Sequence, residues 1–293
     1  MTFNPDAKID PSKTSRRGGR TGAMVGGGSA VVVIGLFLLS QLLGVDLTGL
    51  AGGGGGAPQP GNDEPLSQCT TGEAANESID CRMAAAADSL DTYWSTTLPQ
   101  MGVDYTSTEV VLFAGQVGTG CGGASSAVGP FYCPGDERVY IDATFFDTLT
   151  SQFGADDGAL AQEYVIAHEY GHHVENILGV LGQGQDGRAG PESGGVRVEL
   201  MADCFAGVWA HNATRTTDAS GTPFLKPLTE EDISSALSAA AAVGDDHIQQ
   251  ATQGQVTPHT WTHGSSAQRQ KWFIVGYESG QSGACDTFNT NDL

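Results

Sequence analysis

The segment DDGALAQEYVIAHEYGHHVENILG, residues 156–179, constrains the fold more than any other part of the chain. An aspartate can cap its start and Gly179 can end it, so we predict a single helix. The helix carries the motif His168-Glu169-x-x-His172. Because residues four apart lie on one face of a helix, the two histidines can bind one metal ion. The alternative is a helix whose surface histidines are satisfied by other polar partners.

The rest of the motif indicates a reaction. Glu169 follows His168 by one position, so its carboxylate points beside the metal, where a base takes a proton from metal-bound water. We therefore expect one Zn²⁺ per chain and hydrolysis of peptide bonds, with Glu169 delivering the proton to the leaving amine. Gly171 costs about 1 kcal/mol of helix propensity relative to alanine. A close neighbour or the substrate is expected to need its missing side chain.

A catalytic zinc site needs a third protein ligand and keeps one position for water. The extension H-E-x-x-H-x-x-G-x-x-H is absent, because Glu175 and Leu178 occupy its last glycine and histidine positions. A second predicted helix, residues 194–215, offers Glu199 and Asp203 among apolar neighbours. Acidic groups in a buried helix need partners. We predict Glu199 as the third ligand and Asp203 as the acceptor of a ligand histidine's N–H. The alternative is two solvated acids.

Two further functions compete with a peptidase. One is an exported scaffold or binding protein that holds zinc without turnover, and the other is a zinc hydrolase of a non-peptide bond. A purely structural zinc site needs no base, so the presence of Glu169 favours an enzyme. The residue types alone leave the substrate open, and they leave zinc open against other divalent ions.

The N-terminal region predicts a membrane anchor. Between Arg20 and Asp46 the chain has 25 residues without a charge. A helix of that length reaches about 37 Å, which exceeds the ~30 Å of a hydrocarbon core. Basic residues precede it, so the positive-inside rule predicts a cytoplasmic basic tail (1–22), a transmembrane helix (23–45) and an extracytoplasmic remainder. The alternative is a secreted protein whose signal peptide is cleaved near Ala51.

Residues 46–65 predict a linker, because five consecutive glycines followed by Pro58 and Pro60 cannot pack a core. The folded domain is therefore expected over residues 66–293. The net charge of the whole chain is -21, which argues against nucleic-acid binding. The expected partners are a peptide or protein substrate and, through the N-terminal helix, a membrane.

The six cysteines all follow the predicted linker. An even number in an exported domain indicates disulfides, although six cysteines allow 15 connectivities. Close C-x2–4-C spacing, typical of a thiolate zinc site, is absent. Local pairing of the two C-x11-C pairs is favoured over the other connectivities, giving Cys69–Cys81, Cys121–Cys133 and Cys204–Cys285.

The remaining pattern predicts an α+β fold. Strands are expected at 109–115 and 138–146, which are rich in β-branched and aromatic residues. Helices are expected, besides the two already described, at 88–102, 229–243 and 265–277. A few strands followed by many helices are typical of α+β domains. The strand at 138–146 could bind an extended peptide by β-augmentation.

Four motifs carry a resemblance over nearly the whole chain: HEYGHH, VRVELMADCFAGVWAH, CGGASSAVGPFYCPGDERVYID and HGSSAQRQKWF. Together they resemble the bacterial family of neutral zinc metallopeptidases. The resemblance implies a gluzincin-like metallopeptidase with a zincin-like domain, a small sheet and active-site helices. It also implies that His168, His172 and Glu199 are metal ligands and that Glu169 is the catalytic base. It does not imply a substrate.

His263 and Arg269 are similar to an H-P-x4-R pattern of some membrane-associated gluzincins, with Gly264 in place of the proline. Either side chain could stabilise the oxyanion of a tetrahedral intermediate. The alternative is a histidine at a helix start and a structural arginine.

Overall fold

The computed structural model describes residues 2–18 and 63–293, which combine a five-stranded sheet, a two-stranded hairpin and eight α-helices. The strands are β1 (Thr14–Arg17), β2 (Asp63–Pro65), β3 (Glu109–Phe113), β4 (Gln116–Thr119), β5 (Gly122–Ser125), β6 (Phe131–Cys133) and β7 (Arg138–Asp142). The helices are α1 (Gly72–Glu77), α2 (Ile79–Gln100), α3 (Phe145–Ser151), α4 (Ala159–Ile177), α5 (Gly194–Ala213), α6 (Glu230–Ala242), α7 (Asp245–Gln253) and α8 (Ser266–Ser279).

The five-stranded sheet has the order β2-β1-β3-β7-β6. Strands β1, β3 and β7 run parallel, whereas β6 pairs antiparallel with β7 at one edge. Side chains alternate between the two faces of a strand. Val110 and Leu112 therefore face the main core beneath the helices, and Val111 and Phe113 face a second core. Val117 and Ala124 of the β4–β5 hairpin belong to that second core, so the hairpin covers the far face of the sheet.

The helices at the site begin and end close to the predicted positions. Helix α6 starts with a capping box, in which the Thr229 hydroxyl accepts from the Asp232 N–H and the Asp232 carboxylate accepts from the Thr229 N–H. Helix α2 differs, because it begins at Ile79 rather than near residue 88. The run Ala84–Ala87 inside it is fully buried, and alanine is the best helix former.

Glycines allow the central helices to pack closely. A Cβ atom on Gly171 in α4 would lie 2.8 Å from the Cα atom of Ala202 in α5. A Cβ atom on Gly276 in α8 would lie 1.9 Å from the carbonyl oxygen of Cys204 in α5. The missing side chain of Gly171 is thus explained by a close neighbour. The contact brings α4 and α5 together beside His168.

The predicted membrane topology is wrong. In the described part of the chain, none of the helices has the length and apolar character needed to span a membrane. The predicted span, residues 23–45, lies outside the described residues, as does most of the predicted linker 46–65. A single crossing there would place β1 and β2 on opposite sides of a membrane, yet these strands are hydrogen-bonded neighbours.

The first residues belong to the domain instead of forming a separate tail. Strand β1 pairs with β3, and Phe3, Ala7 and Ile9 are buried in the main core. The prediction of a single-pass protein with a cytoplasmic N-terminus and an external domain is therefore corrected. Cleavage near Ala51, the alternative prediction, would remove β1 and the buried residues Phe3, Ala7 and Ile9 from the domain.

The three predicted disulfides are confirmed: the structure contains Cys69–Cys81, Cys121–Cys133 and Cys204–Cys285. The first closes the chain between β2 and α2, and the second links the β4–β5 turn to β6. The third joins α5 to the C-terminal segment. Each bond restricts the unfolded chain and so favours the folded domain, by about 2–4 kcal/mol in typical cases.

Candidate metal centre

Helices α4 and α5 bring three potential metal ligands together. The Nε2 atom of His168 lies 3.2 Å from one carboxylate oxygen of Glu199, and the Nε2 atom of His172 lies 3.7 Å from the other. One ligand atom from each residue falls within a group no more than 4.8 Å across. Two imidazole nitrogens and one carboxylate oxygen are a ligand set that zinc accepts. The predicted triad is therefore assembled in space.

Asp203 fixes the orientation of His168, as the sequence predicted. Its Oδ1 atom lies 2.8 Å from Nδ1 of His168 and also accepts from the hydroxyl of Tyr164. The Nδ1 atom then carries the proton and Nε2 is left to face Glu199. Arg269 forms two further bonds to Asp203, of 2.8 Å and 3.0 Å. Burial alone would raise the pKa of Asp203, but Arg269 and His168 hold it below the ordinary value.

Glu175 orients His172 in the same way. Its Oε2 atom lies 2.8 Å from Nδ1 of His172, and its side chain is completely buried. Burial raises the pKa of Glu175 well above the ordinary value. In the sequence, Glu175 is noted only because it occupies the glycine position of the longer histidine motif. Its position three residues after His172 also predicts a contact between the two side chains, because such residues are neighbours on a helix.

Glu169 lies in the same cleft as the three ligands, and only 7% of its surface is exposed. Burial raises the pKa of Glu169, although the positive charge of His168 and His172, when protonated, would lower it. A base works best when its pKa is close to the working pH, so a raised carboxylate pKa suits proton transfer.

His263 reaches the centre from the loop before α8. Its Nε2 atom lies 3.8 Å from Glu199, and its Nδ1 atom lies 2.8 Å from the Thr262 hydroxyl and 3.5 Å from Asp245. Asp245 also accepts the backbone N–H groups of Thr262, His263 and Gly264 at 2.8, 2.7 and 3.0 Å. Burial would lower the pKa of His263, but Glu199 and Asp245 raise it.

The structure distinguishes between His263 and Arg269, the two candidates for stabilising the oxyanion. Arg269 is 4% exposed and its guanidinium is paired with Asp203, which matches the structural alternative. The Nε2 atom of His263 lies 3.8 Å from Glu199 and Nη2 of Arg269 lies 4.0 Å from it, but Nη2 of Arg269 is already hydrogen-bonded to Asp203. Tyr164 and Asp245 were not predicted from the sequence. Tyr164 lies four residues before His168 on the same face of α4, whereas no local signal connects Asp245 to a loop 17 residues later.

The centre lies in a cleft of about 330 Å³. Its walls come from β6, the segment between α3 and α4, the start of α5 and the loops on either side of α7. Tyr132 of β6 is among the lining residues, and its hydroxyl lies 3.1 Å from Nδ1 of His173. The Nε2 atom of His173 lies 2.7 Å from the carbonyl oxygen of Thr106, so this third histidine supports the wall instead of binding metal.

Comparisons with known proteins agree with this geometry. Residues 5–288 match the protein family described as "Putative neutral zinc metallopeptidase". The uncharacterized protein Rv2575 of Mycobacterium tuberculosis (strain ATCC 25618 / H37Rv) is 52% identical over 301 residues, covering 100% of both chains. The uncharacterized protein YpfJ of Escherichia coli (strain K12) is 40% identical over 294 residues, covering 97% of this chain and 95% of its own. No solved structure matches the chain.

Proposed function

Because this chain belongs to the family of neutral zinc metallopeptidases, we propose that it is a zinc-dependent peptidase whose ligands are His168, His172 and Glu199. The observation that carries the proposal is the convergence of these three side chains beside Glu169 in one cleft. Each histidine is held by a buried carboxylate on its other nitrogen, an arrangement typical of zinc ligands. One zinc ion per chain is expected.

The donor set fits zinc, and the residues around it fit hydrolysis. When bound, zinc supplies Lewis acidity, which lowers the pKa of water and polarises a carbonyl group. Glu169 is proposed to take the proton of the attacking water and to deliver it to the amine that leaves. The buried environment that raises its pKa favours this exchange in both directions.

His263 is proposed to stabilise the oxyanion. Its Nε2 atom faces the centre, and Asp245 lies near its Nδ1 atom and fixes the loop that carries it. A donor held in place before the reaction stabilises developing charge without reorganisation. Arg269 takes no part in this step, since its role is to hold Asp203 and, through it, His168.

The substrate backbone is proposed to lie along β6. The expected strand for β-augmentation was 138–146, but β7 is paired on both sides, with β3 and with β6. Strand β6 forms part of the cleft wall through Phe131 and Tyr132, so an extended substrate in the cleft would run past this strand.

The test is cleavage of casein and of a mixed peptide library by the purified full chain, before and after chelation and after zinc is returned. We expect activity that is lost on chelation, restored by zinc, and absent in Glu169→Gln. A protein that binds zinc stoichiometrically and cleaves no peptide would favour the scaffold or a non-peptide substrate. Activity that is indifferent to chelation would refute the proposal.

A further inference from the structure

Outside the metal centre, none of the described residues that line the cleft carries a charged side chain. Every acidic, basic or imidazole side chain of the described residues that lines it belongs to the centre: His168, Glu169, His172, Glu199, His263 and Arg269. The chain has 34 acidic residues in all. A charged substrate side chain would therefore lose water in the cleft without gaining a partner, which costs free energy.

Apolar side chains from separate elements contribute to the remaining lining, among them Phe145, Phe153, Val165, Val198, Val243 and Ile248. Two of them adjoin the proposed ligands directly. Val165 lies three residues before His168 on α4, and Val198 immediately precedes Glu199 on α5. A hydrogen bond of 2.9 Å between Nε2 of His247 and the carbonyl oxygen of Phe153 links α7 to the segment between α3 and α4. Apolar side chains thus line the same cleft as the proposed ligands.

The charged groups of the cleft already have partners or proposed roles, so they are not available to bind the charged ends of a peptide substrate. A peptidase that removes terminal residues needs a carboxylate for the free amine or a cation for the free carboxylate. Glu199 faces three histidines, and Glu169 is the proposed base. Arg269 is bound through both Nε and Nη2 to Asp203. Within residues 2–18 and 63–293, no other charged side chain lines the cleft.

From this we infer that the enzyme is an endopeptidase that cleaves beside an uncharged, apolar side chain, which occupies the wall formed by Phe153, Val165 and Ile248. The inference rests on the proposed peptidase function and adds its substrate class. One methylene in such a pocket changes kcat/KM by roughly 10- to 200-fold. We therefore expect a large difference in kcat/KM between substrates with an apolar and with a charged side chain at this position.

The experiment uses quenched fluorescent peptides that are blocked at both ends and consist of glycine and serine except at one position. That position carries leucine, phenylalanine, aspartate or lysine. We expect the leucine and phenylalanine peptides to be cleaved with kcat/KM about 10- to 100-fold above the charged ones. Ile248→Lys should raise the aspartate-to-leucine ratio about tenfold. Val256→Lys adds the same charge at an exposed residue outside the cleft and should leave the ratio unchanged.

The outcomes separate the inference from its premise. Equal cleavage of all four blocked peptides, or cleavage only of peptides with a free terminus, would overturn the inference while leaving a peptidase. No cleavage above that of Glu169→Gln for any peptide, blocked or free, would overturn the proposed function as well. Because each ratio compares two substrates of one enzyme, partial unfolding of a variant lowers both rates and leaves their ratio unchanged.

Discussion

The crossing of α4 and α5 is expected to tolerate no side chain at Gly171. In Gly171→Ala the new Cβ would lie 2.8 Å from Cα, 3.0 Å from Cβ and 3.0 Å from the carbonyl oxygen of Ala202. Alanine gains about 1 kcal/mol of helix propensity over glycine. Overpacking of a tight core costs about 1–3 kcal/mol, and the upper part of that range, about 2–3 kcal/mol, applies here because two of the three contacts are backbone atoms that cannot rotate away. After the gain in helix propensity, we expect a net loss of about 1–2 kcal/mol.

The assay is guanidinium unfolding of the oxidised, chelated protein, so that zinc does not contribute to the free energy of unfolding. Gly276→Ala, whose Cβ would lie 1.9 Å from a carbonyl oxygen, should lose more than about 3 kcal/mol. Gly182→Ala meets nothing within 4 Å and should change by less than about 0.5 kcal/mol. A Gly171→Ala protein as stable as wild type would refute the idea that backbone contact sets the helix spacing.

Three further changes have defined outcomes. Glu175→Ala should weaken zinc binding about 10- to 100-fold in a competitive chelator titration, with Glu175→Gln intermediate, and equal affinities would exclude its orienting role. His263→Ala should lower kcat about 10²–10³-fold at unchanged zinc content, and a change in KM alone would point to substrate binding. Burial raises the pKa of Glu163 to about 8 from an ordinary 4.5; its contribution to stability is therefore complete below pH 4.5 and lost as pH rises to 8. Between pH 4.5 and 8 this group should lower the free energy of unfolding of the wild type by up to about 5 kcal/mol. Glu163→Gln should lack this decrease, and parallel pH profiles of the two proteins would contradict the prediction.

Local spacing was sufficient to predict the centre. The i, i+4 spacing of His168 and His172, and of Glu199 and Asp203, needs only helical geometry, and both pairs lie where that geometry puts them. The same argument would have found Tyr164 and Glu175. Asp245 differs, because its hydrogen bonds to residues 262–264 depend on how α7 packs beside the start of α8.

The N-terminal strand could not be predicted from local sequence. Strand β1 reads Thr-Ser-Arg-Arg, without the alternation or apolar residues that indicate a strand. It is held by non-local contacts: parallel pairing with β3, and hydrogen bonds from Arg17 to Asp63 and to the carbonyl oxygen of Gly118 at 2.6 and 2.8 Å. A run of basic residues before an uncharged segment therefore predicts a cytoplasmic tail, whereas the structure places these residues in the sheet.

The most direct test of the central claim compares Glu169→Gln with Glu199→Ala, measuring zinc per chain and the rate of peptide cleavage on the same samples. We expect Glu169→Gln to retain one zinc and lose cleavage by at least about a hundredfold, since only the base is gone. Glu199→Ala should lose both zinc and cleavage. Zinc loss in Glu169→Gln, or zinc retained with full affinity in Glu199→Ala, would contradict the assignment of ligand and base.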